Sequence, residues 1–332
     1  MKSKLGQFYT TNYEYLLKNM EIPDDIEIII ESFCGNGDLL KFLKKDYLLE
    51  CYDIEPKHSY IIQRDILKNP PDYDDKFILT NPPYIARNKN DDKEIYDLYK
   101  TNDLYKCFIL SFIKSRCKGG IIIIPINFLC SQRPIDIKLR KDFINKFQIK
   151  LINIFEEKVF DDTSTSVCVI QFDLKKIDEN IRIDIYPSNK SIEIKLNDVN
   201  KYSIGGEILK IKSSKLYKIE RATKNTNEGI TNILIKMIDD KNEIGAMIIE
   251  DEKRIIDNTD NLSMRSYATL VILPIIDLKI QEKLVKEFNE FLRINREKYN
   301  SLFLTNYREY KRKRISFDLT FKIFGYLLEN LK

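Results

Sequence analysis

The sequence holds a single histidine, His58, among 332 residues, and its six cysteines (Cys34, Cys51, Cys107, Cys117, Cys130, Cys168) include no C-x-x-C pair. One imidazole and scattered thiols leave too few ligands for an ordinary zinc site, and several of the cysteines fall inside apolar segments, where they read as buried free thiols. No apolar run approaches the roughly 18 residues that a membrane span takes. The start, Met1-Lys2-Ser3-Lys4-Leu5-Gly6-Gln7, lacks the hydrophobic core of a signal peptide, so an intracellular protein is expected. Glycine is sparse where nucleotide binders need it. After Gly35 and Gly37 the third glycine of a dinucleotide fingerprint is replaced by Leu40, and no Lys-Ser/Thr follows, which excludes a P-loop. Charge of one sign is also in small supply: the formal net charge is +4, which permits an acidic partner without demanding one.

What is present is enough chain for two domains, with 43% hydrophobic and 32% charged residues. Over the first 175 or so residues, short β-branched runs alternate with helical spacing. The strands are expected near Ile26–Ile30, Tyr47–Ile54, Lys76–Leu79, Ile121–Ile126, Lys150–Phe155 and Val167–Phe172, with Ile61 and Ile62 leading to Arg64-Asp65-Ile66. This predicts a doubly wound, mostly parallel sheet covered on both faces by helices, with the last two strands too closely joined for a crossover and hence antiparallel at one edge. After Asp173 the rhythm breaks into strand-like pieces (181–186, 192–196, 206–210) and then two helices, about 278–295 and 317–331. The expected division is therefore 1–178 and 179–332, the second part a smaller α+β domain.

The first strand runs into Glu31-Ser32-Phe33-Cys34-Gly35-Asn36-Gly37-Asp38, a turn whose glycines let backbone approach a ligand and whose acids suit a cationic one. Asp53 ends the second strand, where an acid pairs with ribose hydroxyls as a two-oxygen acceptor. Asp65 can accept from an adenine amino group, with Ile66 against the ring. The fourth strand stops at Asn81-Pro82-Pro83-Tyr84. Two prolines end the ladder and stiffen the turn, leaving a carboxamide, a free carbonyl and a ring at the tip. The Asn81 side chain and the Pro82 carbonyl can both accept from one exocyclic NH2. That draws its nitrogen toward sp3 and frees a lone pair otherwise delocalised into the ring, so no strong base is required beforehand.

These motifs, in this order, resemble those of S-adenosylmethionine-dependent DNA adenine N6-methyltransferases of the gamma arrangement, over about residues 5–173. Gly6-Gln7-Phe8-Tyr9-Thr10 resembles the G-Q-F-[FY]-T element that contacts the cofactor's methionine end, although Thr11 stands where the family usually has proline. Glu31 to Gly37 resembles the E-P/S-x-x-G-x-G motif, with Phe33-Cys34 in a slot that often holds Ser-Ala. Asp53 matches the ribose-binding acid, Asp65-Ile66 the adenine-binding pair, and Asn81 to Tyr84 the catalytic tetrapeptide unchanged. The resemblance implies a Rossmann-like methyltransferase sheet binding S-adenosyl-L-methionine through Thr10, Glu31, Cys34, Gly35, Gly37, Asp53, Asp65, Ile66 and Asn81. It implies catalysis by Asn81, Pro82, Pro83 and Tyr84, with Phe160 of Val159-Phe160-Asp161 stacking on the opposite face of a flipped base.

Such an enzyme needs a second domain to hold duplex DNA while one base is extruded. Residues 293–314 carry eight Lys/Arg (293, 296, 298, 308, 311, 312, 313, 314) against Glu297 and Glu309, with Tyr299, Phe303, Tyr307 and Tyr310 interleaved. Phosphate contacts are expected from Arg308, Lys311, Arg312, Lys313 and Arg314, and base contacts from the polar turn around Arg265. Double-stranded DNA is the expected partner of a cytoplasmic monomer or weak dimer with no membrane attachment, with a cognate restriction endonuclease alongside. Methylation of a protein glutamine, an RNA base or cytosine N4, and a catalytically silent DNA-binding subunit, are the competing readings.

Overall fold

A computed structural model describes residues 10–160, 163–174, 178–240, 243–257, 266–306 and 312–331. Gly6 to Tyr9, Arg265, Tyr307, Arg308, Tyr310 and Lys311 lie outside the described residues. The chain divides into two compact units, Met1–Tyr202 and Ser203–Lys332.

In the first unit the β-branched runs form strands as their composition demands: β1 (Ile28–Glu31), β2 (Leu48–Asp53), β3 (Ile62–Gln63), β4 (Phe77–Thr80), β5 (Gly119–Pro125), β6 (Gln148–Phe155) and β7 (Val167–Asp173). Two more follow, β8 (Ile181–Tyr186) and β9 (Lys190–Ile194), and the nine-stranded order is β3-β2-β1-β4-β5-β7-β6-β8-β9. Pairing is parallel from β3 to β5, in registers such as Ile29↔Phe77 and Ile78↔Gly120, and antiparallel where β7 lies between β5 and β6. The short helices are α1 (Tyr13–Leu16), α2 (Glu94–Tyr99), α3 (Leu104–Phe112), α4 (Asn127–Cys130) and α5 (Pro134–Lys146). All four residues of β4 and all seven of β5 are buried, the signature of central parallel strands.

Three expectations change. The antiparallel pair β6–β7 is interior, because β8 pairs in parallel with β6 (Ile152↔Ile183) and β9 continues the sheet. For the same reason the unit boundary falls at Tyr202/Ser203 rather than 178/179. Helical cover is also thinner toward β3. Only a 3-10 turn, Asp38–Phe42, separates β1 from β2, and the connection 54–61 is shorter than the dozen or so residues of a helical crossover. Leu48 and Ile62 are accordingly 67% and 55% exposed.

The second unit pairs β10 (Lys218–Arg221), β11 (Ile230–Lys236), β12 (Gly245–Ile248) and β13 (Tyr267–Leu273) as an antiparallel sheet in the order β10-β13-β11-β12. Helices α6 (Leu278–Tyr299) and α7 (Phe317–Glu329) close its core, with Phe288 and Phe324 stacked at 4.3 Å. Asp277 caps α6 by accepting from Ile280 N–H at 2.8 Å. A small ribbon joins β14 (Thr305–Asn306) to β15 (Lys313–Arg314). The strand expected at 206–210 is a 3-10 turn instead; Gly205 and Gly206 open it with positive φ (148° and 49°), which an extended strand cannot accommodate.

Candidate active site

Strand order reverses between β1, which leads outward to β2 and β3, and β4, which leads to β5. Open α/β sheets bind ligands at the C-terminal ends of the strands at such a reversal. A cavity of about 350 Å³ lies there. Its lining includes Thr10, Glu31, Cys34, Gly35, Asp53, Asp65, Ile66 and Asn81, so eight of the nine residues expected to bind a cofactor border one space, with Pro83 beside them. Gly37 does not border it. Its φ is +76°, and a Cβ there would meet the Tyr60 hydroxyl at 2.4 Å, so this glycine shapes the turn.

The acids are held by backbone. Asp53 accepts from Gly35 N–H at its Oδ2 and from Glu55 N–H at its Oδ1, both at 2.8 Å, which fixes the glycine turn to the tip of β2. A carboxylate has roughly four acceptor sites, so two hydroxyls can still be bound. Asp65 Oδ1 accepts from Leu67 and Lys68 N–H at 3.1 and 3.2 Å. Glu31, only 1% exposed, accepts from Phe33 N–H at 3.1 Å and from the Thr80 hydroxyl, both at Oε1. Burial pushes its carboxyl up from the ordinary 4.5 to about 8, against the opposing pull of those two bonds.

At the tip of β4 the Asn81 amide donates from Nδ2 to Thr10 Oγ1 at 3.1 Å. Asn81 Oδ1 and the Ile123 carbonyl (2.9 Å) both lie within reach of the Tyr84 hydroxyl, whose one proton can serve either. Burial holds the Tyr84 phenol well above its usual 10, with Cys168 and Asp103 adding to the effect. Pro82 and Pro83 are buried. Phe160 is 5% exposed and belongs to the apolar cluster against which Tyr84 and Val159 pack. Asn12 Nδ2 donates to the Val159 carbonyl at 2.8 Å, anchoring that segment.

Sequence reasoning missed part of the wall. Asn90, Asp92, Ile95 and Leu104 also line the cavity, the first three from a stretch that reads as a charged loop. The Leu104 N–H donates to Ile85 O at 3.2 Å, which brings the start of α3 against the residue following Tyr84. The amphipathic spacing from Leu104 onward was the available signal for the helix, but not for where it docks.

In the second unit three cations among the described residues of the basic segment are ion-paired. Arg296 bonds Asp239 at 2.8 and 3.0 Å with its side chain 14% exposed, Arg293 bonds Glu290 at 2.7 and 2.8 Å, and Lys298 lies 3.1 Å from Glu207. Tyr299 and Phe303 are core residues, 7% and 3% exposed, and are not surface stacking platforms. Lys313 and Arg314 are half-buried in β15, where the Lys313 carbonyl accepts from Asp239 N–H at 2.9 Å, while Arg312 is exposed.

The reversal of sheet order, the acid-tipped strands and the Asn-Pro-Pro-Tyr turn meet at this one cavity of a mixed α/β fold. Residues 39–160 match the model of the Eco57I restriction-modification methylase family. No curated protein matches the sequence. Among solved structures, a Vibrio vulnificus YJ016 protein described as a modification subunit of a type I restriction enzyme is similar at 15% identity and TM-score 0.45, over 60% of this chain and 58% of that one. The methyltransferase subunit of a type I system from Streptococcus thermophilus is similar at 14% identity and TM-score 0.40, over 56% and 50%. The type IIG restriction endonuclease BpuSI is similar at 13% identity and TM-score 0.42, over 66% and 36%. The chain thus spans 58% or less of the length of these proteins.

Proposed function

We propose that this chain transfers a methyl group from S-adenosyl-L-methionine to the N6 amino group of an adenine drawn out of a short duplex DNA site, as the modification activity of a restriction-modification system. The observation that carries the reading is the convergence of three strand-tip acids, Glu31, Asp53 and Asp65, with Asn81 around one cavity. The donor set fits the cofactor. Glu31 faces where a cationic amino end is wanted, Asp53 keeps acceptor capacity for two ribose hydroxyls, and Asp65 with Ile66 offers an acceptor beside an apolar surface. A volume near 350 Å³ is in the range of small-molecule sites. When bound, the cofactor supplies an electrophilic methyl on a sulfonium centre.

The chain's own residues orient the acceptor. Asn81 Oδ1 and the Pro82 carbonyl accept hydrogen bonds from the two amino hydrogens, one of which leaves as a proton to solvent after the nitrogen has gained the methyl, and the Asn81 amide is held by donating to Thr10 Oγ1 at 3.1 Å. The incoming amine displaces the Tyr84 hydroxyl from Asn81 Oδ1, and that hydroxyl keeps its bond to the Ile123 carbonyl at 2.9 Å, which holds the Tyr84 ring beside the base. Phe160 covers the other face only if its segment opens from the core. Alignment of the two reacting groups supplies much of the rate. Extruding the base costs a few kcal/mol, offset by phosphate contacts for which Arg308, Lys311, Arg312, Lys313 and Arg314 are the candidates, with Arg265 reading bases. A cognate endonuclease partner, a cytoplasmic site of action and a monomer or weak dimer belong to the same reading. Among the described residues no helix is long and apolar enough to cross a membrane.

The deciding experiment incubates the purified protein with S-adenosyl-L-methionine and duplex DNA and measures methylated nucleosides by mass spectrometry. N6-methyladenine is expected. N4-methylcytosine or unmodified DNA refutes the assignment. Asn81→Ala should lower turnover by at least about a hundredfold while cofactor affinity changes little. Unchanged turnover refutes the role given to Asn81.

A further inference from the structure

Thr80, the residue before the tetrapeptide, ends a strand whose other residues, Phe77-Ile78-Leu79, are wholly apolar, and it is itself 0% exposed. Valine has the same shape and would pack there without a hydroxyl to desolvate, so a buried hydroxyl at this position is costly unless it is bonded. Its partner is Glu31 Oε1, across from it at the tip of the neighbouring parallel strand β1. Phe33 N–H, 3.1 Å away, also bonds Oε1, so both fixed bonds fall on one oxygen and Oε2 is left for a ligand. One hydroxyl–carboxyl bond therefore joins the strand leading into the glycine turn to the strand leading into Asn81.

Resting on the functional reading above, we propose that Thr80 is a positioning residue for cofactor capture: its hydroxyl aims the Glu31 carboxyl at the donor's amino end and ties the cofactor pocket to the Asn81–Tyr84 turn. Among the described residues, the groups that act most on Glu31 are neutral or acidic: Thr80 on β4, Cys51 and Asp53 on β2, and Cys34 in the glycine turn. Among them nothing cationic holds the carboxylate ionised. Thr80 and the Phe33 N–H are the groups that favour the charged form, and the carboxyl titrates near 8 even so. Removing the hydroxyl raises that value further, and the empty pocket then stays neutral to a higher pH.

The test is calorimetric binding of S-adenosylhomocysteine to the full chain between pH 6 and pH 10, for wild type, Thr80→Val and Thr80→Ser. Comparing variants at each pH cancels the ligand amine's own titration near pH 8. Thr80→Val is expected to bind about tenfold more weakly at pH 7, the loss of one hydrogen bond to an ionised group. The gap should close as pH rises beyond about 9, and Thr80→Ser should restore wild-type binding. A gap of constant size at every pH, or a Thr80→Val profile superimposed on the wild type, overturns the role of Thr80 while leaving the functional reading in place. Wild-type protein that binds no S-adenosylhomocysteine at any pH refutes the functional reading and the proposal with it. Should valine unfold the chain, Thr80→Cys keeps the size with a weak donor and carries the same comparison.

Discussion

Replacing Glu31 by glutamine should stabilise the cofactor-free protein, and the gain should grow with pH. The carboxyl is 1% exposed and titrates near 8 in the folded chain against an ordinary 4.5. Between those values the unfolded chain has lost the proton that the folded chain still holds. The unfolded state therefore binds fewer protons, and stability falls as pH rises. The contribution is intact below about pH 4.5, is lost through the window up to about 8, and is flat beyond. A rise from 4.5 to about 8, at about 1.36 kcal/mol for each pH unit, makes the full loss about 5 kcal/mol, an upper bound because the carboxyl borders a cavity rather than closed core. Glutamine keeps the oxygen that accepts from Thr80 and Phe33 and carries no charge to desolvate. Urea denaturation of both proteins from pH 5 to pH 9 should give curves that nearly coincide at pH 5 and separate by up to a few kcal/mol at pH 8. The same variant should lose cofactor affinity, because the charge that penalises the empty pocket is the one that meets the ligand. A stability difference independent of pH, or a glutamine variant less stable at pH 8, refutes the burial argument.

Other perturbations follow from particular bonds. Asp53→Ala removes the acceptor for both Gly35 and Glu55 N–H, and cofactor affinity should fall by about a hundredfold or more in equilibrium dialysis, whereas turnover at saturating cofactor should change far less. Arg140 is 0% exposed and donates to the carbonyls of Tyr202 (2.8 Å), Phe128 (2.7 Å) and Ser131 (2.6 Å). Arg140→Met should therefore cost about 3–5 kcal/mol in denaturant titration, since several buried acceptors lose their partner at once.

What the chain reveals without its structure depends on how local the cause is. The end of β4 was legible because Pro82 and Pro83 stop a ladder wherever they occur, and the acids at 31, 53 and 65 were legible because each closes its own strand run. Arg140 was not, because its acceptors come from residues 128, 131 and 202 and nothing near it in sequence distinguishes it from a solvated helix arginine. Ile181–Tyr186 was recognisable as a strand, but its partner β6 lies beyond β7, so its membership of the first sheet is a property of pairing. The basic run of residues 293–314 was visible as composition, and only the placement of Asp239, Glu207 and Glu290 shows how much of that charge is already matched.

The two strands that continue the sheet past β6 matter for anyone dissecting the protein. A fragment stopped at residue 178 would strip β8 and β9 away and leave the edge of β6, with Ile152 and Ile154 flanking it, as a row of unpaired amides and carbonyls. Such an edge is a template for joining other chains, and material from that fragment should collect in inclusion bodies. Ending the fragment after Tyr202 keeps the edge capped by β9, which carries Lys190 and Glu193 as charges that discourage further strand addition, and it retains the carbonyl that Arg140 grips.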